Sequence, residues 1–240
     1  MKIITYLLLL LSYVVLAVSG CSNIDNDASA NAHSTTKPER IENHSGVDNL
    51  DGFSWMNRPT VFNVNNGIVY VTSEPKTDFF NDPESGKATA TAPLLYKDIE
   101  GDFVATALVK PDFSDTWNAA ALMVHIDEST WIKFAFERSD ATGKSIVSVV
   151  TKGVSDDANG AVLAERDSAW LRIIRKGDVY SMLWSEDGSH YTMARLTKMP
   201  ASPSVKVGVE VQSPLENSAQ HEIHLFNIEH RTVENLRTGI

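Results

Sequence analysis

Two neighbouring runs within Asn118–Glu137 alternate strictly between apolar side chains of one set and a second, mixed set. The first run sets Leu122, Val124 and Ile126 against Ala121, Met123 and His125, and the second sets Ile132, Phe134 and Phe136 against Trp131, Lys133, Ala135 and Glu137. A period of two is the repeat of a β-strand whose one face lies in a core. The pattern therefore predicts two adjacent strands with one shared core face.

The apolar sets also limit how these two strands can pair. Opposed residues of an antiparallel pair share a face, so the two core sets must lie on the same side. Two registers satisfy this condition: one puts His125 opposite Lys133, and the other puts it opposite Trp131. Both registers place His125, Trp131, Lys133 and Glu137 together on the other face, which we expect to be accessible.

The residue types on that face favour a sugar ligand. Sugar binding needs an aromatic surface for stacking and planar polar groups that bind hydroxyl pairs. Trp131 supplies the first, and His125, Lys133 and Glu137 supply the second. The alternative is a solvated face with a Lys–Glu pair, which contributes less than about 1 kcal/mol, but solvation does not account for an exposed tryptophan.

Two residues outside these strands are further candidates. Asp78 either joins the ligand face from a neighbouring segment or orders a turn. Trp117, in the loop before the first strand, is either a rim aromatic or packed under the sheet.

Strand-like alternation recurs along the rest of the chain between short turn signals. The clearest turns are Asp51-Gly52, Asn66-Gly67, Asn159-Gly160 and Asp187-Gly188, because glycine adopts positive φ without a steric penalty. A hairpin with Gly177-Asp178 as its turn is predicted over Trp170–Gly188, and the one possible helical turn is Met193–Lys198. Many short strands without alternating helices predict an all-β fold of the sandwich type.

The N-terminal residues have the features of a targeting signal. A basic residue, the apolar run Tyr6–Val18 and small residues before Cys21 predict a secretory signal peptide over residues 1–20, too short to span a membrane. Val18-Ser19-Gly20-Cys21 resembles a bacterial lipobox, so we predict lipidation of Cys21, the single cysteine. The alternative is an ordinary signal peptide with an incidental cysteine. Ser22 follows Cys21 as in outer-membrane lipoproteins, which favours a cell-envelope location in the outer rather than the inner membrane.

Composition divides the remaining chain into a tether and one domain. Residues 21–48 are rich in small and polar side chains and bury too little to fold, so they are predicted to be a flexible tether. Residues 49–240 suffice for a single large core. The formal net charge of −10 disfavours nucleic acid as a partner.

The order of several short pieces is similar to one known family. The pieces are Lys76–Phe80, Gly101–Phe103, Ala120–Val124, Trp131–Glu137, Trp170–Arg172, Trp184–Gly188 and Val207–Val209. In this order they resemble the DUF1349 family, concanavalin A-like jelly-roll domains that include YesU-like proteins and modules beside glycosidases. The resemblance covers about Asp51–Glu229 and implies two antiparallel sheets, a concave face and carbohydrate-related work. This sequence differs from the family pattern after Thr151, where relatives tend to have a Ser-Asp-Trp.

The sequence supports ligand binding more strongly than catalysis. Glycoside hydrolysis needs two nearby carboxyls, and Glu137 is the one carboxylate predicted mid-strand on the accessible face. Glu165-Arg-Asp167-Ser-Ala-Trp170 lacks the second glutamate of the laminarinase-like glucanase strand. His221 and His224 are three apart on a strand and so point to opposite faces, which argues against a metal site.

We therefore predict a membrane-anchored envelope lipoprotein that binds carbohydrate or polysaccharide without catalysis, metal or cofactor. The first alternative is a glycan-active enzyme, a glycoside hydrolase or a polysaccharide lyase with a His125 or Lys133 base. The second alternative is a structural or adhesion module that binds a protein through the same face.

Overall fold

The computed structural model describes Leu50, residues 52–240 and the backbone of a short strand at Glu39–Arg40. The predicted signal peptide and the lipidation of Cys21 lie outside the described residues. Within the predicted tether, Glu39–Arg40 pairs with Asn227 and Ile228 of the last strand, so part of that segment extends a sheet. Across the described part of the chain, no helix has the length and apolar character needed to cross a membrane.

The described part of the chain forms seventeen strands. In chain order they are β1 (Glu39–Arg40), β2 (Ser54–Met56), β3 (Phe62–Asn65), β4 (Ile68–Ser73), β5 (Phe79–Asn81), β6 (Ala88–Ala90), β7 (Leu94–Glu100), β8 (Phe103–Lys110), β9 (Ala119–Asp127), β10 (Thr130–Ser139), β11 (Gly143–Lys152), β12 (Val154–Val162), β13 (Ala169–Lys176), β14 (Val179–Ser185), β15 (Thr192–Lys198), β16 (Ser204–Gln212) and β17 (Ala219–Glu229).

These strands build two large antiparallel sheets and one small hairpin. Sheet A has the order β15-β14-β13-β8-β17-β4-β3, with β1 paired to β17. Sheet B has the order β12-β11-β10-β9-β16-β7-β2, and β5 and β6 form a separate two-stranded sheet. Sheet B contains both strands of the alternating segment that the sequence singles out.

The core lies between the two sheets, as the alternation predicts. Ile132, Phe134 and Phe136 of β10 are fully buried and belong to one apolar cluster with residues of sheet A such as Ile173 and Phe226. Trp131 pairs with His125 across β9 and β10, so the second of the two predicted registers is the one adopted. The predicted antiparallel sandwich is confirmed.

Two local predictions are wrong, and both fall on edge strands. Met193–Lys198 belongs to β15 instead of a helical turn, and Asn159-Gly160 lies inside β12 instead of forming a tight turn. Each strand is paired on one side only, and β12 is largely exposed. Edge strands lack the strong apolar alternation that identifies a buried strand. The hairpin of β13 and β14 is confirmed.

The β5–β6 hairpin is the feature that shapes the outer face of sheet B, the face turned away from the core. Asn81 ties it to the end of β12: its backbone N–H donates to Ser155 Oγ at 2.8 Å and its side-chain amide donates to the Gly153 carbonyl at 2.8 Å. Phe79 of β5 packs with Trp131 in an apolar cluster on that outer face. The hairpin therefore covers one end of the face and leaves the other end open.

Candidate functional site

The open end of sheet B carries small side chains between polar ones. Strand register places Ala135 beside Ala121, which is beside Glu210, and the next outer-face row holds Glu137, Ala119 and Gln212. The three alanines are fully buried and pack against Phe80 of β5. Beside them the face encloses a cavity with a volume of about 700 Å³, which lies within the range of small-molecule sites.

Polar and aromatic side chains from several elements line this cavity. They include Asp78 and Phe80 near β5, Trp117 before β9, Lys133 and Glu137 of β10, Val149 of β11, Asp157 of β12 and Gln212 of β16. Three of the five sequence-predicted site residues, Asp78, Lys133 and Glu137, are thus brought together.

Lys133 is the central cation of the site. Its side chain is only 3% exposed, and its ammonium group donates to Asp78 Oδ1 at 2.8 Å and to Gln212 Oε1 at 2.7 Å. Burial by itself lowers the pKa of Lys133, but the carboxyls of Asp78, Glu210 and Glu137 outweigh it and raise that pKa to about 12. Lys133 therefore stays charged, and two of its three donors are bonded to protein groups.

Glu137 and Glu210 lie beside Lys133 as two buried carboxyl groups. Burial raises the pKa of each to about 8, although the Lys133 charge opposes the shift. Both groups are thus mainly protonated at neutral pH. Glu210 has no hydrogen-bond partner for either carboxyl oxygen within the described structure. The cluster therefore consists of one ammonium, one carboxylate from Asp78 and two neutral carboxylic acids.

Trp117 stands at the rim in an unusual backbone conformation. Its φ is 65°, a left-handed value that bulky side chains rarely adopt. Two residues fix it: the Trp117 N–H donates to the Arg138 carbonyl at 2.7 Å, and the Gln212 amide donates to the Trp117 carbonyl at 2.9 Å. The side chain is nevertheless 39% exposed and lines the cavity. Of the two alternatives for Trp117, the rim position is the one observed.

His125 and Trp131 share the outer face with Lys133 and Glu137, but the expectation that they are accessible is wrong. Trp131 is fully buried, and the two rings stack in parallel with centroids 6.2 Å apart. Phe79 packs edge-on against both, at 5.8 Å from Trp131 and 6.1 Å from His125. Burial lowers the pKa of His125. The β5–β6 hairpin covers these two residues, so neither lines the cavity.

The expectation of a single mid-strand carboxylate on this face is also wrong. The carboxyl group of Glu210 lies on this face too, beside the amide of Gln212, and the carboxyl group of Asp157 joins from β12. A signal for Glu210 and Gln212 exists in the sequence: β16 alternates, with Val209 and Val211 toward the core and these two residues opposite. The sequence does not show that β16 lies beside β9, because the two strands are far apart along the chain.

A second polar group, away from the cavity, looks catalytic at first sight. His221 Nε2 lies 2.9 Å from Ser73 Oγ, and all of these atoms are buried. The Asp112 N–H donates to His221 Nδ1 at 3.2 Å, so Nε2 carries the ring proton and donates to Ser73. This tautomer cannot accept the serine proton, and the group is therefore structural. His224 points elsewhere, to Glu222 at 2.7 Å, as the strand spacing predicts. Among the described residues, no three or more His, Cys, Asp or Glu side chains are placed so that they could hold a metal ion together.

Comparisons with known proteins agree with the fold and leave the activity open. Residues 55–231 match a family model described as "Protein of unknown function (DUF1349)". A Saccharomyces cerevisiae protein called "Regulation of enolase protein 1" is 27% identical over 161 residues, which is 67% of this chain and 81% of that protein.

Two solved structures show the same architecture. A functionally unknown protein from Saccharomyces cerevisiae has a TM-score of 0.71 at 24% identity, covering 76% of this chain and 98% of that one. The GH43 BlXynB protein from Bacillus licheniformis has a TM-score of 0.64 at 12% identity, covering 82% of this chain but only 40% of its own. These likenesses confirm the jelly-roll β-sandwich fold.

Proposed function

Because the chain belongs to the DUF1349 family, whose description assigns no activity, we propose a function from the site itself: the cavity over sheet B binds a carbohydrate without transforming it. In this proposal the domain is carried by a lipid anchor at Cys21 in the cell envelope. The anchor and the location stay predictions, since Cys21 lies outside the described residues.

The observation that carries the proposal is the fixed, half-exposed Trp117 at the mouth of a polar cavity. A bulky residue at positive φ costs free energy, and such strain persists where the surrounding structure enforces it, often at ligand sites. Gln212 and Arg138 enforce it here through the backbone of Trp117. The backbone that carries the indole is thereby ordered before a sugar ring stacks on it, which lowers the entropy cost of binding.

The cavity wall supplies the polar half of sugar recognition. Asp78 can accept hydrogen bonds from hydroxyl groups, and Glu137, as a neutral acid, can both donate and accept. Val149 and Phe80 add apolar surface between them. Such alternation of polar and apolar patches suits a ring that has hydroxyl edges and C–H faces. The fold likeness to the GH43 protein also supports work on carbohydrate.

We expect Trp117→Ala to weaken binding of the recognised oligosaccharide about tenfold, because stacking on an aromatic contributes about 1.4 kcal/mol. Titration calorimetry on ligands found by a glycan array measures this. Trp117→Phe should retain part of the affinity, and Leu196→Ala, which removes an exposed apolar side chain of sheet A, should leave it unchanged. Equal affinities for wild type and Trp117→Ala would exclude this site.

One observation favours a second candidate, glycoside hydrolysis. Glu137 is a carboxyl with a pKa near 8, and it shares the cavity with Asp78 and Asp157. A protonated acid next to a carboxylate is the pair that this reaction requires. In such a mechanism Glu137 would protonate the leaving oxygen while Asp78 or Asp157 acts on the opposite side of the sugar ring.

If the protein is a hydrolase, Glu137→Gln should reduce turnover at least about a hundredfold, because it removes the general acid. Release of reducing ends from a broad panel of polysaccharides is the measurement. Glu210→Gln is the matched control: Glu210 has a similarly raised pKa and is buried nearby, but it does not line the cavity. Absence of turnover by the wild type on the whole panel would leave binding as the function.

A further inference from the structure

We propose that the cavity over sheet B selects saccharides that carry a protonated amine, in preference to neutral ones, and rejects acidic ones. This inference rests on the proposed carbohydrate-binding function and names the chemical class of its ligand. It follows from the balance of charged groups around the cavity and from one buried side chain at its floor.

Carboxyl groups outnumber cations in the cavity lining. Six acidic residues line it, namely Asp78, Asp82, Glu84, Glu137, Asp140 and Asp157, and only Lys87 and Lys133 oppose them. Lys133 is bonded to Asp78 and Gln212, and its side chain is 3% exposed. It therefore has little surface to offer to a ligand anion. The space left for a ligand lies in a field dominated by negative charge.

Glu137 is the observation that points to a ligand independently of that balance. It is only 7% exposed and it lines the cavity, so its carboxyl group has lost most of its contact with water while it faces the space for a ligand. A carboxyl group in such a position carries a desolvation cost, which a hydrogen-bond donor of the ligand would relieve. An ammonium group supplies three donors and a positive charge in one small group.

The surrounding acids make a cation the best partner for Glu137. The carboxyls of Asp78, Asp157 and Asp140 add to burial in raising the pKa of Glu137 to about 8, so it holds a proton at neutral pH. A ligand ammonium nearby would stabilise the ionised form and displace that proton to solvent. A uronate or sulfate group, in contrast, would meet mainly like charges, because Lys87 and Lys133 are the two cations against six acidic side chains in the cavity lining.

The test uses 1,4-linked pyranose oligosaccharides that carry different substituents. Titration calorimetry at about pH 6, where glucosamine amines are mostly protonated, compares oligomers of glucosamine, glucose, N-acetylglucosamine and galacturonate on the full chain. A simple diamine without a sugar is included. We expect glucosamine oligomers to bind about tenfold or more tightly than the glucose oligomers, as one screened charge contact allows. Galacturonate should show no binding.

Two further readouts separate charge from shape. Salt should weaken the binding of glucosamine oligomers and leave that of glucose oligomers unchanged. Titrations in two buffers of different ionisation enthalpy should show proton release on binding the amine and none on binding the neutral sugar, and Glu137→Gln should abolish that release. Glutamine mimics the neutral acid in size and hydrogen bonding, so this variant is expected to fold.

Variants of two acidic residues at the rim test the role of charge, and a variant of a neighbouring acidic residue provides the matched control. Asp140→Asn combined with Asp157→Asn should bring the affinity for the glucosamine oligomer toward that for the glucose oligomer, because both carboxyls line the cavity from exposed positions. Asp156→Asn, one residue along β12, changes a carboxyl that pairs instead with Arg195 at 2.6 Å and does not line the cavity. It should preserve the preference.

The outcomes distinguish this inference from the function it rests on. Neutral oligomers that bind as tightly as amine-bearing ones, or tight binding of galacturonate, would overturn the inference and leave carbohydrate binding intact. Binding of the diamine with no saccharide would overturn the carbohydrate function and keep a cation site. No binding by any of these ligands would overturn both.

Discussion

Lys133→Met is expected to lower the free energy of unfolding by about 3 kcal/mol, as for removal of one partner of a buried ion pair. The substitution deletes the two hydrogen bonds of the Lys133 ammonium and leaves Asp78, whose side chain is 22% exposed, without its cation. It also removes the charge that opposes the raised pKa of Glu137 and Glu210. Chemical denaturation monitored by tryptophan fluorescence measures the change.

Lys206→Met is the matched control for that variant. Lys206 lies on β16 of the same sheet and pairs with Asp98 at 3.0 Å, but both side chains are more exposed, at 32% and 62%. Solvent-exposed ion pairs contribute about 0 to 1 kcal/mol, so we expect a small effect. Removing both Asp78 and Lys133 charges, as Asp78→Asn with Lys133→Met, should cost less than Lys133→Met alone. Equal losses for Lys133→Met and Lys206→Met would contradict the assignment of a buried pair.

The folded protein should lose stability as the pH rises from about 6.5 to about 8. Glu137 and Glu210 each have a pKa near 8 in the folded state, against 4.5 for an ordinary glutamate. Between these values the folded chain binds protons that the unfolded chain has released, so their stabilising contribution is complete below about pH 4.5 and is lost progressively up to about pH 8. Each group contributes about 1.4 kcal/mol per pH unit, so we expect the free energy of unfolding to fall by on the order of 2 kcal/mol or more between about pH 6.5 and 8.

Measuring only above about pH 6.5 avoids a contribution of His221 to the free energy of unfolding that changes in the opposite direction. Burial lowers the pKa of His221 to about 4 from 6.5, so its contribution grows as the pH rises to about 6.5 and is constant above it. Unfolding free energies at about pH 6.5 and 8 are compared for the wild type and for Glu137→Gln with Glu210→Gln. The double variant lacks both titrating groups and should show a smaller fall. A wild type equally stable at both pH values would show that these carboxyls are ionised throughout.

The pairing of strands that follow each other in the chain was predictable, because it depends on residues that are close together in the sequence. The alternation of Ile132, Phe134 and Phe136 defines the core face of β10, and its parity with β9 leaves two registers. One of these is observed, with Trp131 opposite His125. The same parity placed Lys133 and Glu137 together on the outer face, where both are found in the cavity lining.

Accessibility was not predictable from the same pattern. Period two states which residues share a face, but it does not state what lies over that face. The β5–β6 hairpin closes over His125 and Trp131 through Phe79, a residue more than forty positions before either of them. The sequence around Phe79 carries no mark of this contact, so the exposure predicted for Trp131 is wrong.

The sequence by itself determined the all-β class, the core faces of the long strands and the shared face of Lys133 and Glu137, since each depends on spacing within a few residues. Only the tertiary structure decided which strands adjoin β9 and β10, and hence that Glu210 and Gln212 enter the cluster. It also decided the charge state of that cluster, because the pKa of Glu137 depends on burial and on acids brought from Asp78 and Asp157. Contacts and burial of this kind arise only when segments distant in the chain pack together.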